Sequence, residues 1–155
     1  SACNKFTGSL TIPDSVTELG DGAFHYCYGF DGFLRISDQI TYINSNTFSE
    51  CTGFTGSLTI PESVTGIGDS AFYDCKKLKI AEIIKNSELT FIGPKVFSGS
   101  AIESFLISSC VSSLGKNAFS RCWNLSAVEI DSHFELNLDD QKVFESTDIK
   151  AISKN

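Results

Sequence analysis

The chain has 155 residues, thirteen of them Phe, six Cys and a single Trp, with a net charge of −7. That length suits one domain. Nine acidic residues against Lys5 and Arg35 put the whole excess into residues 1–75, which argues against nucleic acid or an anionic membrane as partner, since both need clustered Lys and Arg. No apolar run approaches the ~18 residues that span a bilayer, so membrane insertion of this segment is not expected. No signal peptide is present, and Ser1 enters in mid-repeat, as in a segment of a longer protein.

Residues 6–27 read FTGSLTIPDSVTELGDGAFHYC and residues 54–75 read FTGSLTIPESVTGIGDSAFYDC, identical at 16 of 22 positions. Phe24, Phe48, Phe72, Phe97, Phe119 and Phe144 mark one point in successive units, spaced by 24, 24, 25, 22 and 25 residues. A period near 24 means a solenoid, in which each coil buries its apolar face only against a neighbour.

Each unit opens with a strand, 10–12, 34–36, 58–60, 81–83, 105–107 and 128–130, apolar inward and variable outward at period two. Pro13 and Pro61 end two of them. A second extended piece follows at 16–19, 40–43, 64–67, 89–92 and 111–114. Gly20, Asn44, Gly68, Gly93 or Gly115 then stands where a left-handed corner is expected. One helical turn should follow, capped by Asp21, Ser45 or Asp69, with its Phe at the solenoid centre. Residues 3–130 form the regular repeats of a single domain, and residues 131–155 a divergent last repeat and cap, with Asp139-Asp140 at its corner and Ile149 and Ile152 starting one more strand. The first strand is an open edge able to pair with a preceding repeat or another molecule.

Cys3, Cys27, Cys51 and Cys75 recur every 24 residues, and Cys122 holds the same place after Phe119; Ser100 and Thr147 fill it elsewhere, and Cys110 lies outside the series. Residues in a line do not converge on zinc, and no CxxC is present. A disulfide between coils is the closest contest. Coils ~4.8 Å apart suit its Cα separation, but parallel side chains hold Cβ atoms at that spacing, beyond the usual ~3.8 Å. The expectation is a buried ladder of free thiols.

The string LTIPESVTGIGDSAFYDC from Leu58 to Cys75, with its IP-x-SVT-x-IG run, AF pair and following Cys, resembles the BspA-type leucine-rich repeat. The marks recur over residues 3–130, with drift in the coils around Phe97 and Phe144. The resemblance implies a right-handed α/β leucine-rich-repeat solenoid of about six coils, with a parallel sheet and short helical turns. It also implies a cell-surface or secreted protein linked to adhesion to host proteins and other cells, with no catalytic residue and no cofactor.

The residues themselves point to binding over chemistry. His25 and His133 are the only histidines and lie in different repeat sub-parts, and no GxSxG, HExxH, P-loop or dinucleotide fingerprint appears. Asp139, Asp140 and Glu135 read as a charged cap over a weak cation site. Asn124-Leu-Ser126 is an N-glycosylation sequon, though an inward Leu125 disfavours its use. The surface left for a protein partner is the outward strand row Thr11, Arg35, Thr59, Glu82, Leu106 and Glu129, flanked by Ser9, Phe33, Ser57, Ile80, Ser104 and Ala127. Phe33, Arg35, Ile80 and Leu106 break its polar run and are the candidate hot spots. The alternative is a spacer or self-associating segment of a longer array.

Overall fold

The computed structural model describes residues 3, 5–83, 88–130, 142–147, 149 and 151–154. In chain order the strands are β1 (Leu10–Thr11), β2 (Leu34–Arg35), β3 (Tyr42–Ile43), β4 (Gly56–Ile60), β5 (Gly66–Ile67), β6 (Leu78–Ile83), β7 (Phe91–Ile92), β8 (Ser104–Ile107), β9 (Ser113–Leu114), β10 (Ala127–Ile130) and β11 (Ala151–Lys154). They stack as a parallel β-solenoid. The first strands of the units line one edge, called the first ladder: β1 pairs β2 as a two-stranded sheet, and β4, β6, β8, β10 and β11 form a five-stranded sheet after it. A second ladder holds the short pieces β3, β5, β7 and β9. Residues 16–19 of the first coil form no strand, although Leu19 is buried. Of the last unit, β11 is described and pairs β10, with Ile152 opposite Val128; the corner at Asp139-Asp140, Glu135 and His133 lies outside the described residues.

Two chemical ladders reinforce the strands. The hydroxyl residue of the second extended segment is one, in three successive coils: the hydroxyls of Thr65, Thr90 and Ser112 donate to the carbonyls of Thr41, Thr65 and Thr90 one coil back, at 3.0, 3.0 and 3.2 Å. The other is the aromatic column. Phe24, Phe48, Phe72, Phe97, Phe119 and Phe144 stack ring on ring, with centroids 5.4–5.6 Å apart and planes within 23° of parallel. A separation above the coil rise gives the offset stacking that ring quadrupoles favour. Phe6, Phe30 and Phe54 build a second, shorter column at 6.0 and 5.5 Å, edge-on to the first. Beyond it Leu78, Ile102 and Leu125 take over as buried residues. Phe105 leans against Phe97 and Phe119 there, at 5.5 and 4.7 Å.

The segments carrying these rings are not helical, contrary to the sequence expectation. No described residue is in a helix. The N–H groups around each Phe alternate in destination. Those of Ala23, His25 and Cys27 close local turns onto Gly20, Gly22 and Phe24, while those of Gly22, Phe24 and Tyr26 donate to Ser45, Thr47 and Ser49 of the next coil. The coils of Phe48, Phe72 and Phe97 repeat the pattern. An α-helix would spend all these donors internally. Here half of them tie one coil to the next, so the turn edge is itself a hydrogen-bonded ladder.

The left-handed residues, Gly8 and Gly56 apart, follow the same alternation and correct a second expectation. They do not lie at Gly20, Asn44, Gly68, Gly93 or Gly115 but two residues before and two after each Phe: Gly22 and Tyr26, Asn46 and Glu50, Ser70 and Asp74, Lys95 and Gly99, Asn117 and Arg121, Lys142 and Ser146. Gly68, Gly93 and Gly115 serve close approach instead. A Cβ on Gly68 would meet the Ser45 nitrogen at 2.7 Å, and one on Gly115 the Pro94 nitrogen at 2.2 Å. Asp21 likewise caps no helix: its carboxylate accepts the Ser45 N–H of the next coil at 3.1 Å.

Candidate functional site

The outward positions of the first ladder share one face because strand side chains alternate and the pairing, shifted once between Gly56 and Ser57 of β4, stays in register through the outward residues. Thr11 stands beside Arg35, Thr59 beside Glu82, and Leu106 beside Glu129. Thr11, Arg35, Thr59, Glu82 and Glu129 are exposed and Leu106 is half-buried. In the flanking row Phe33 is 54% exposed, and Ser9, Ser57 and Ser104 are exposed. The backbone of Ile80 sits opposite Ser57 and Ser104; its side chain lies outside the described residues.

Two shallow depressions interrupt this face. One, of about 360 Å³, is lined by Phe33, Arg35, Ser57 and Thr59 and bounded by Pro61. The other, of about 400 Å³, is lined by Glu82, Leu106 and Glu129 over Ala81 and Ala127. The Arg35 guanidinium lies 3.3 Å from Asp14 and 3.8 Å from Asp38, all three side chains well exposed. Such pairs contribute ~1 kcal/mol or less to stability, so their main effect is to leave the face acidic. The second depression has an apolar centre between two carboxylates. The arrangement can hold a partner's side chains. Among the described residues, no three His, Cys, Asp or Glu side chains converge as a metal site. His25 is half-buried and stacks on Tyr26 at 3.8 Å.

The thiols lie behind the turn edge. Cys27, Cys51, Cys75 and Cys122 are buried, Cys3 half-buried and Cys110 exposed, all of them free. The S–H groups of Cys51, Cys75 and Cys122 donate to the carbonyls of Phe24, Phe48 and Phe97 of the preceding coil, at 3.0, 3.3 and 2.9 Å. Ser100 and Thr147 donate to the Phe carbonyls of their own coils, Phe97 and Phe144. Burial is the main cause that pushes Cys51 up to about 12 and Cys122 up to about 11, and it holds Cys75 well above the ordinary thiol range. These sulfurs are packing groups and weak donors, not nucleophiles.

A third surface feature is absent from the sequence reading. On the turn edge, Arg121 donates to the Tyr73 hydroxyl at 2.7 Å and lies over its ring at 5.6 Å. Beside it Trp123 is 61% exposed. Comparing coils slot by slot carries the signal: the residue after the ladder position is Tyr28, Thr52, Lys76, Ala101 and Trp123 in turn, and a Trp at a solvent-facing slot stands out.

The profile described as "BspA type Leucine rich repeat region" matches residues 1–56 and 41–154, in six copies. No curated protein matches the chain. Among solved structures, the pneumococcal vaccine antigen PcpA is similar over 82% of this chain and 31% of its own, at 27% identity and a TM-score of 0.72. A leucine-rich cell surface protein of Faecalibacterium prausnitzii is similar over 79% of this chain and 38% of its own, at 27% identity and a TM-score of 0.62. This chain thus spans about a third of the length of those two proteins. The leucine-rich repeat protein of T. pallidum shares the fold over 94% of this chain and 72% of its own, at 20% identity and a TM-score of 0.68.

Proposed function

Because the chain belongs to the BspA-type leucine-rich repeat family, we propose that it is a non-enzymatic adhesion module of a cell-surface or secreted repeat protein, binding a protein partner through the outward face of its first strand ladder. The supporting observation is the face itself: a parallel ladder that holds Phe33, Arg35, Leu106 and the carboxylates Glu82 and Glu129 around two depressions. A fixed backbone presents these groups with little ordering cost on binding. Its acidity selects a partner with basic groups around an apolar side chain, of extracellular-matrix or cell-surface type. The similar proteins described as a vaccine antigen and a cell surface protein are in keeping with that location.

The test is capture from a panel of matrix and cell-surface proteins, followed by the joint variant Arg35→Ala, Glu82→Ala, Leu106→Ala. Binding should be lost while the far-UV spectrum stays unchanged. Retained binding by a folded triple variant refutes the strand face as the site.

A second reading, self-association, has its own observation. The Phe6 ring is 61% exposed although it heads a column, stacked on Phe30. Phe6→Asp should then abolish concentration-dependent association in sedimentation; a strictly monomeric parent chain removes this reading.

A further inference from the structure

On the turn edge, away from the strand face, the solenoid carries a hollow of about 380 Å³. Its origin is a difference between neighbouring coils. Two residues after the column Phe, successive coils carry Asp74, Gly99 and Arg121; at the slot after the ladder position they carry Lys76, Ala101 and Trp123. The middle coil therefore offers Gly99 and Ala101 as a floor, while the coils on either side raise walls.

The walls differ in chemistry. Trp123 presents an exposed apolar ring at one rim, beside Asn124. Arg121 is held in place by the Tyr73 hydroxyl below it and by that ring's face, so ordering its long side chain for a ligand costs little. Opposite, the Lys76 ammonium lies 3.6 Å from the Asp74 carboxylate. Two cations against one carboxylate leave the hollow net positive on a chain of charge −7.

We infer that this hollow binds a carboxylate-bearing sugar at the end of a glycan. A pyranose has an apolar face of C–H groups that lies flat on an exposed indole. Its vicinal hydroxyls need the paired donors and acceptors that Asp74 and Asn124 supply. An acidic substituent is the group that the Arg121 guanidinium would take by charge-assisted, two-pronged hydrogen bonding, with Lys76 adding a second positive charge. A hollow of that volume holds one or two sugar rings.

Trp123 is the chain's only tryptophan, so its emission reports on the hollow directly. Titrating the intact chain with sialyllactose or glucuronate should produce a saturable change in that emission, weakened by added salt, while lactose and glucose produce none. Arg121→Gln combined with Lys76→Gln should weaken binding about tenfold or more, as expected for the loss of charged hydrogen bonds. Ala101→Phe fills the hollow and leaves every charge in place, and should abolish the heat of binding by calorimetry. Both variants should keep the parent circular dichroism spectrum. No saturable response to either acidic sugar up to on the order of 10 mM, an equal response to the neutral sugars, or undiminished binding by folded Ala101→Phe, would each overturn the assignment.

Discussion

Phe72 sits between Phe48 and Phe97, with 5.4 Å to each ring centre, and no part of it reaches solvent. Truncating it opens a void that the rings above and below cannot fill without leaving their own stacks. Phe72→Ala should therefore cost about 3–5 kcal/mol in urea unfolding, and Phe24→Ala, at the half-buried end of the column, clearly less. The thiols follow a different rule. The unfolded chain ionises its cysteines near the ordinary value of about 8.5, whereas Cys122 and Cys51 hold their protons up to about 11 and about 12 when folded. Stability from these groups is thus intact below that ordinary value and is lost as the pH rises towards the folded values. The melting temperature should fall between about pH 8.5 and pH 11, with a shallower slope in the Cys51→Ala, Cys122→Ala variant. Thiol labelling of the native protein at neutral pH should modify exposed Cys110 readily, and Cys51, Cys75 and Cys122 only after unfolding.

At the scale of the element, the strands, residues 16–19 apart, are readable from the chain and the turns are not, and the difference is one of range. Alternation around Leu58 and Ile60 is a local signal, and β4 runs Gly56–Ile60. The Asp21 to Phe24 stretch carries equally local signs of a helix start. Its outcome depends on the N–H groups of Gly22, Phe24 and Tyr26 finding carbonyls in the next coil, which no window of a dozen residues contains. The role of the corner glycines is hidden for the same reason, since residue type shows freedom at a corner but not a neighbour's backbone pressed against it. A contrast separates the two roles. Gly115→Ala should destabilise by about 1–3 kcal/mol through the clash with Pro94. Gly20→Ala, with nothing within 4 Å of its added carbon, should be close to neutral in the same thermal melts. A left-handed corner at Gly20 would instead make that variant costly.

For the whole molecule, the period was the most informative part of the chain, because spacing alone places Thr59 beside Glu82 and Leu106 beside Glu129 on one ladder. The relief of the surface was not legible in the same way. Both strand-face depressions and the turn-edge hollow arise where small residues, such as Ala81, Ala127, Gly99 and Ala101, fall beside larger ones of adjacent coils. The turn-edge ladder has one more consequence. Bonds from Phe24 to Thr47, Phe48 to Ala71 and Phe72 to Val96 run along the stack, as those of the strands do. A tug between the two ends would therefore strain one junction at a time. Each rupture would pay out the slack of a single coil, roughly 80 Å of extended chain, while the coils behind it stay shut. Stretched in an optical trap, the protein should lengthen in a staircase, a yielding tether with repeated stops.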